Sequence, residues 1–276
     1  MQMPWAIASW AYPAAAPART LYYHLSALPL LGSAGYLGLV HGLHRLMAPR
    51  KAVRIPNAAL VLYNIVQVIL NAYVAYAIAA PLGGRVWGFG QLDSPSLRYG
   101  VFLHYLCKYL DMVDTVIIVL RKKEAQLSFL HLWHHSSIVV VWGWVVHTIP
   151  TAAEGGSAAY SYGAWINSCV HVVMYFYYGL TAVGIRPPFK KAVTVVQLTQ
   201  FASCITHAAA LCVVDPATPA VYKYAQVAYH IGMLRLFLPL LLRKSRADSS
   251  RSMNVPLTPG SKSALSKASG SEKKAS

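Results

Sequence analysis

The sequence predicts an all-α integral membrane protein. Three observations support this fold class: hydrophobic residues make up 56% of the chain and charged residues only 12%, long apolar runs recur along it, and short polar segments separate those runs. Soluble domains carry about twice this share of charged residues. An apolar run of about 20 residues crosses a hydrocarbon layer as a helix, so we expect most of the chain to lie in a membrane.

Seven apolar runs are expected to cross the membrane as helices. They cover residues 25–47, 57–80, 99–120, 127–149, 159–185, 193–214 and 220–242. The chain therefore divides into an N-terminal segment, residues 1–24, a seven-helix domain, residues 25–242, and a polar basic tail, residues 243–276. We expect the tail to be disordered because it has too few apolar residues to bury. Prolines interrupt the start of the chain, which does not resemble a secretory signal peptide.

The positions of the charges predict the partner and the orientation. A net charge of +16 would suit nucleic acid, but lysines and arginines cluster after the first, third, fifth and seventh runs, whereas the alternate loops hold only Arg85 and Arg98. Positive residues of membrane proteins concentrate in cytosolic loops. We therefore expect membrane lipid and no nucleic acid as a partner, a cytosolic C-terminus, and an N-terminus on the opposite side.

The first two runs have the features of packing helices. The first contains Pro29 and four glycines and has no acidic residue. In the second, Asn64, Gln67 and Asn71 are spaced to share one helical face. Hydrogen bonds between helices account for such a stripe in a membrane, and we expect that role here.

The third run carries ionisable residues on one face. His104, Lys108, Asp111, Asp114 and Thr115 recur at helical spacing. An ion pair of Lys108 with Asp111 could hold the bundle together, orient the histidines of the next run, or do both. The following turn, residues 121–125, is short, so the third and fourth runs should form an antiparallel hairpin. That hairpin would bring Asp114 near those histidines.

Three histidines open the fourth run. His131, His134 and His135 lie at positions i, i+3 and i+4 and share one face of a helix. A single histidine on an apolar face is usually a core residue with satisfied hydrogen bonds. Ionisable groups inside a membrane segment are costly and usually face an interior cavity. Three of them at this spacing therefore indicate a functional site, which we call the histidine box.

Polar faces recur in the later runs. They comprise Asn167, His171, Tyr175 and Tyr178 in the fifth run, Thr194, Gln197, Gln200, Cys204 and His207 in the sixth, and Lys223, Gln226 and His230 in the seventh. A row of tyrosines is more often core or interfacial belt than catalytic, but a histidine in the middle of the fifth run favours function. The four cysteines fall inside apolar runs, where a thiol behaves as a small hydrophobe. We expect neither a disulfide nor a zinc site.

Four blocks resemble the ELO family of very-long-chain fatty acid elongases. They are KYLDMVDT at 108–115, QLSFLHLWHH at 126–135, NSCVHVVMYFYY at 167–178 and TVVQLTQF at 194–201, and the resemblance covers residues 57–242. One residue departs from the family pattern, because Asp111 occupies a position where the family usually has glutamate. The box reads His-Leu-Trp-His-His, whereas polyunsaturated-type elongases often have Val-Tyr between the first two histidines. The retained aromatic residue favours unsaturated substrates.

The resemblance implies a fold and a reaction. Family members have seven transmembrane helices, the last six of which enclose a narrow acyl-chain tunnel. They condense a long-chain acyl-CoA with malonyl-CoA, without a metal or cofactor, and release a 3-oxoacyl-CoA two carbons longer, carbon dioxide and CoA. They reside in the endoplasmic reticulum with the ketoreductase, dehydratase and enoyl reductase of the cycle. The terminal Lys273 and Lys274 resemble a dilysine retrieval signal of that compartment.

The resemblance also implies roles for the residues of the blocks. A buried, neutral imidazole can attack a thioester or act as a base, and we assign His134 as the nucleophile that forms an acyl-imidazole. His131, His135 and His171 would orient it or move protons, and the carboxylates would fix tautomers; these are Asp111 and Asp114. Further substrate contacts are expected from Lys108, Asn167, Tyr175, Tyr178, Gln197 and Gln200. Clustered cations bind phosphates, so CoA is expected to meet Lys122, Lys123, Lys190, Lys191 and Arg243.

Two other kinds of function share some of these features. A membrane di-iron desaturase or hydroxylase also acts on fatty chains, but it needs several histidine boxes, whereas this chain has one. A seven-helix retinal-binding protein needs a Schiff-base lysine within its last helix, and Lys223 lies near the start of the seventh run. A non-catalytic lipid carrier would leave the histidines without a role.

The charge pattern predicts the topology. In sealed microsomes, added protease should remove a tag at the C-terminus and spare a tag at the N-terminus, because the basic loops lie on the cytosolic side. Immunoblotting of both tags measures this. Protection of the C-terminal tag with loss of the N-terminal tag would contradict the orientation.

Overall fold

The protein is helical throughout the part that the structure describes. The computed structural model describes residues 27–185, 187–188 and 190–253, and within these ranges it contains α-helices, short 3₁₀ turns and no β-strand. The helices are α1 (Ala27–Met47), α2 (Asn57–Ala79), α3 (Pro95–Asp111), α4 (Val113–Leu120), α5 (Phe129–Thr148), α6 (Tyr162–Ala182), α7 (Lys190–Val214) and α8 (Ala220–Met253). The all-α fold class is confirmed.

Each predicted run is occupied by helix, but the third is occupied by two. Helices α3 and α4 meet at Met112. There the amide of Met112 bonds the carbonyl of Tyr109 at 3.2 Å and the amide of Thr115 bonds that of Met112 at 3.1 Å. Both bonds span three residues, which is the tighter 3₁₀ pattern. The tightened turn lies between the two aspartates of this run.

By length and apolar composition alone, three of the helices could cross a membrane. Within the described ranges, the segments long and apolar enough are Asn57–Leu82, Phe129–Thr148 and Lys191–Val214, which belong to α2, α5 and α7. Helix α4 is shorter than a membrane span, at eight residues, and other helices carry polar residues. In α3, for example, the ionisable side chains of Arg98, Lys108 and Asp111 are all buried. Polar residues turned inward lower the apolar share of a helix without exposing charge to lipid.

Helix α8 extends beyond the predicted seventh run and ends at Met253. The disorder expected for residues 243–276 remains a prediction. Residues 243–253, RKSRADSSRSM, contain neither proline nor glycine, so nothing in them breaks a helix once started. Residues up to Phe237 form one compact unit, and the described part of the second unit is the end of α8. Residues 1–24, the dilysine pair and the rest of the tail lie outside the described residues.

The first unit is held together by a few extensive helix contacts. Helix α2 packs along α6 and against α3, α1 packs against α5 and α4, and α6 packs against α7. The contact between α3 and α5 agrees with the predicted hairpin. The central apolar cluster includes Ile78 of α2, Val101 and Tyr105 of α3, and Val139 of α5. This packing places the polar faces of α2, α3, α5 and α6 toward one another.

Two loops close the end of the unit where α2 ends and α3 begins. The amide of Asp93 bonds the carbonyl of Gly156 at 2.9 Å. The buried Arg98 bonds the carboxylate of Asp93 and donates to the carbonyl of Ile149 at 2.9 Å. Burial raises the pKa of Asp93, and the adjacent guanidinium opposes that rise. The ion pair therefore ties both loops to the start of α3.

An aromatic stack fixes the first of these loops. The ring of Trp87 stacks on that of Tyr162 with centroids 4.8 Å apart, and the ring of Phe89 stacks on that of His207 at 4.9 Å. Nε2 of His207 lies 2.9 Å from the carbonyl oxygen of Trp87. His207, a histidine of the sixth run, therefore packs against this loop and contacts its backbone.

Replacing Gly88 with alanine should lower the unfolding temperature more than Gly90→Ala does. Both glycines have positive φ, +69° and +66°, so each substitution carries a backbone strain of about 1–2 kcal/mol. A Cβ on Gly88 would lie 2.7 Å from the backbone of Ala159, whereas a Cβ on Gly90 meets nothing within 4 Å. Thermal unfolding in detergent measures the difference. Equal shifts would show that the loop does not pack as described.

Candidate active site

A buried ion pair forms the centre of the polar interior. Lys108 and Asp111 are 1% and 2% exposed, and the Lys108 Nζ lies 2.9 Å from Oδ2 of Asp111. The same ammonium donates to Oδ1 of Asn167 at 2.9 Å. The ion pair predicted within the third run is therefore present, and it also joins α3 to α6.

Asp111 is the acceptor that several helices share. Gln67 of α2, which is fully buried, donates to Oδ1 of Asp111 at 3.1 Å, and the hydroxyl of Tyr175 donates to the same oxygen at 3.2 Å. Nδ1 of His171 lies 3.5 Å from Oδ2. Asn71 in turn donates to the side chain of Gln67 at 3.3 Å. Of the polar stripe of α2, Gln67 makes the expected interhelical bond to this carboxylate, whereas Asn64 and Asn71 donate to groups within α2.

The 3₁₀ turn lets both aspartates reach one tyrosine. The hydroxyl of Tyr175 has one proton, which it shares between Oδ1 of Asp111 and the closer Oδ2 of Asp114, 2.7 Å away. The contact from this face to the histidine box is made by the next residue, because Oγ1 of Thr115 lies 2.8 Å from Nε2 of His131. The hydroxyl of Tyr36 lies 2.9 Å from the same Oγ1. We expected Asp114 to lie near the histidine box. The contact with the box is made by the next residue, Thr115.

The histidines of the box converge as their spacing predicts. The ring centroids of His131 and His135 are 4.4 Å apart, and those of His134 and His135 are 5.4 Å apart. The ring of Tyr36 lies 6.3 Å from that of His135. Nδ1 of His135 and Nδ1 of His171 are buried without a hydrogen-bond partner among the described residues. Buried nitrogens of this kind are rare in stable cores and call for a functional explanation.

His134 lies in the wall of a cavity between α5, α6, α7 and α8. Asn167, Gln200, Tyr229 and His230 line the same cavity, and the amide of Asn167 donates to Oε1 of Gln200 at 3.5 Å. The remaining walls are largely apolar, with Ile138, Trp142, Phe201 and Leu211 among them. The cavity thus joins the polar groups of the box to a hydrophobic space, which suits a ligand with a reactive head and an apolar chain.

The residues of the site that the sequence analysis did not assign to it include Gln67 and Tyr229. Gln67 was read only as a packing residue, and Tyr229 of α8 was not singled out, although its hydroxyl lies 3.3 Å from Nδ1 of His134. Tyr229 stands three residues after Gln226, which also lines the cavity. The polar face predicted for the seventh run could therefore have included it.

Several residues that we expected to contact the substrate do not line this cavity. Gln197 donates to the sulfur of Met174 at 3.6 Å, and Tyr178 is 40% exposed and packs edge-on against Tyr175. Lys122, which has a positive φ of 50°, donates to the carbonyl of Ala48 at 3.1 Å. Lys123 and Lys191 are exposed. The side chains of Lys190 and Arg243 lie outside the described residues, and the assignment of all five cations to CoA remains a prediction.

Within the described ranges, no group of three or more His, Cys, Asp or Glu side chains is arranged to hold a metal ion. The histidines instead contact hydroxyl groups, namely those of Thr115 and Tyr229. Such an arrangement can orient imidazoles for attack or proton transfer. That the reaction needs no metal remains a prediction.

Comparison with known proteins gives one consistent result. The family model described as ELO: GNS1/SUR4 family matches residues 23–250. Fatty acid elongase 4 of Trypanosoma brucei brucei is 37% identical over 209 residues, which cover 76% of this chain and 81% of that protein. Fatty acid elongase 5 of Leishmania major is 39% identical over 204 residues, covering 74% and 80%. Very long chain fatty acid elongase 1 of Homo sapiens is 36% identical over 201 residues, covering 67% and 70%.

Thr115→Val should reduce activity and stability together. The substitution keeps the shape of the side chain but leaves Nε2 of His131 and the hydroxyl of Tyr36 without their shared partner, at a cost of about 1–3 kcal/mol for a buried polar group. Thr206→Val is the matched control, because Thr206 is exposed and its hydroxyl bonds only its own helix. Thermal unfolding and product formation measure both effects. Equal behaviour of the two variants would remove Thr115 from the site.

Proposed function

The chain belongs to the ELO (GNS1/SUR4) family, and we propose that it catalyses the condensation step of fatty acid elongation. The substrates are a long-chain acyl-CoA and malonyl-CoA, and the products are a 3-oxoacyl-CoA two carbons longer, carbon dioxide and CoA. The observation that carries the proposal is the position of His134, a residue of the histidine box that also lines an apolar cavity. A reactive nitrogen beside a hydrophobic channel suits a thioester with a long chain.

The first half of the reaction is an acyl transfer to the enzyme. The imidazole of His134 attacks the thioester carbonyl, the new C–N bond forms, and the C–S bond breaks. The sulfur leaves as CoA and takes up one proton, and the acylated ring releases its own N–H proton, so the charges balance. Asn167 and Gln200 line the same cavity and are the amides available to hydrogen-bond the carbonyl oxygen as it gains charge. The product of this half is a neutral acyl-imidazole.

The second half joins the two carbon chains. Malonyl-CoA loses carbon dioxide, and the electron pair left on its α-carbon attacks the acyl carbon. The bond to the imidazole breaks, and His134 regains a proton. His135, whose ring lies 5.4 Å from that of His134, is the neighbouring imidazole for this proton transfer. Asp111 positions the side chain of Asn167 through Lys108, and its Oδ2 lies 3.5 Å from Nδ1 of His171. These residues position groups and need not change charge.

We extend the proposal to the membrane arrangement. All seven runs cross the bilayer, and the cavity beside His134 is the inner part of a tunnel for the acyl chain. Its apolar walls and its four surrounding helices support this. The family and the charge pattern favour the endoplasmic reticulum, with the N-terminus lumenal and the C-terminus cytosolic. The preference for unsaturated chains rests on the aromatic Trp133 within the box.

The chemistry of the product indicates the partners. A 3-oxoacyl-CoA becomes a saturated chain only after reduction of the ketone, loss of water and reduction of the double bond. We propose that a ketoreductase, a dehydratase and an enoyl reductase of the same membrane receive it. CoA itself would meet the exposed lysines near the box end, such as Lys123 and Lys191.

Purified enzyme given acyl-CoA alone should release free CoA in a burst of about one equivalent per active site, which is the kinetic signature of a covalent intermediate. With malonyl-CoA added, mass spectrometry should detect the 3-oxoacyl-CoA product. His134→Ala should abolish both the burst and turnover. Asp111→Asn should slow the reaction but keep the burst, because misplaced neighbours slow a nucleophile without removing it.

The control for this experiment is His41→Ala, which removes an exposed histidine of α1 and should leave the burst unchanged. Condensation by His134→Ala at the wild-type rate would refute the assigned nucleophile. Inactivation by a chelator, with recovery on adding iron, would instead favour a di-iron oxidation of the fatty chain. The same assay with a panel of acyl-CoA substrates measures which acyl chains the enzyme prefers.

A further inference from the structure

The identity of the attacking nitrogen depends on the tautomer of His134. A neutral imidazole carries its proton on one ring nitrogen and a lone pair on the other, and only the lone pair can attack a carbonyl. Which nitrogen holds the proton is set by the hydrogen bond that it makes. The contacts of His134 therefore decide its reactivity.

Three contacts form a closed chain of hydrogen bonds that begins and ends at His134. Nδ1 of His134 lies 3.3 Å from the hydroxyl of Tyr229. That hydroxyl lies 3.2 Å from Oγ of Ser137. Oγ of Ser137 donates to the backbone carbonyl of His134 at 3.4 Å. These hydrogen bonds link α5 to α8 through two side chains that are not part of the histidine box, Tyr229 and Ser137.

Only one arrangement of protons satisfies all three contacts. A carbonyl oxygen can only accept, so Ser137 must donate its single hydroxyl proton to it. The oxygen of Ser137 must then accept from Tyr229, which has one proton of its own. The oxygen of Tyr229 is left to accept, and its donor is the N–H at Nδ1 of His134. The lone pair of the imidazole is therefore on Nε2.

We infer that Tyr229 and Ser137 are positioning residues that hold His134 in the Nδ1–H tautomer and leave Nε2 as the nucleophile. This inference rests on the role proposed for His134. It also separates His134 from His131, whose Nε2 is engaged by the hydroxyl of Thr115 at 2.8 Å. The backbone carbonyl of His134 thereby sets the tautomer of its own side chain through two hydroxyl groups.

The aromatic packing keeps this hydroxyl in place. The ring of Tyr229 stacks on that of Trp133, with centroids 5.4 Å apart and an interplanar angle of 19°. Phenylalanine at position 229 would keep the stack and remove only the hydroxyl. Alanine at position 137 would remove the donor to the carbonyl and free the Tyr229 proton. The two substitutions therefore disturb the relay in different ways.

Each variant has a distinct expected effect on the CoA burst. Tyr229→Phe removes the acceptor for Nδ1–H and should slow the burst about 10- to 100-fold, with the KM for acyl-CoA little changed. In Ser137→Ala the Tyr229 hydroxyl can turn and donate to Nδ1, which stabilises the wrong tautomer, so the burst should slow at least as much. The double variant should be no slower than Tyr229→Phe alone, because without the phenol the serine has nothing to polarise.

Two controls match these substitutions. Ser136→Ala removes a hydroxyl from the adjacent position, where Ser136 makes the same kind of bond to the carbonyl three residues back, at 3.1 Å. Tyr224→Phe removes a hydroxyl from a tyrosine of α8 that is 67% exposed. Both variants should release CoA in a burst at the wild-type rate. Thermal unfolding of all variants identifies any that fail to fold, and the small Ser137→Ala change tests the relay if Tyr229→Phe is unstable.

The outcomes separate this inference from the proposed function. A wild-type enzyme that condenses substrates without a burst, or a fully active His134→Ala, would refute the covalent role of His134. A normal wild-type burst that Tyr229→Phe and Ser137→Ala both retain would refute the relay alone. Losses that multiply in the double variant would also refute it, because two independent packing defects add in free energy.

Discussion

The buried pair of Lys108 and Asp111 is the interaction on which the rest of the site depends. Two charges removed from water are tolerated only when they are paired and their remaining hydrogen-bonding capacity is filled. Asn167 accepts from the ammonium, whereas Gln67 and Tyr175 donate to the carboxylate. The ion pair lies in α3, and these partners come from α2 and α6. The requirement to satisfy both charges therefore also holds three helices in one arrangement.

The histidine box is oriented from three directions. Its members contact three other helices, with His131 on Thr115 of α4, His134 on Tyr229 of α8, and His135 on the ring of Tyr36 of α1. Each imidazole thus has its own environment, although the three occupy one helical face. A cluster of imidazoles with different surroundings suits catalysis, because one ring can act as nucleophile while another transfers a proton. The hydroxyl groups that give His131 and His134 different surroundings belong to Thr115 and Tyr229, which lie outside the box.

Much of the fold and part of the site could be predicted from local patterns. The helices begin and end close to the predicted runs, and the pair of Lys108 and Asp111 forms as their spacing indicated. The break at Met112 was not foreseen, since neither glycine nor proline marks it. Helix α8 extends past the end of the seventh predicted run, because a polar composition argues against burial but not against a helix. Gln67 was assigned to packing, because its spacing cannot show which charge it faces.

By itself, the sequence determined which residues share a helical face, and therefore that three histidines would converge in an apolar helix. This follows from the helical period, which is a property of neighbouring residues. Only the tertiary structure decided which group meets each imidazole. Tyr229 lies 95 residues from His134 and Gln67 lies 44 residues from Asp111. Such pairs arise from helix packing, and the direction of each hydrogen bond is set by the groups that packing brings together.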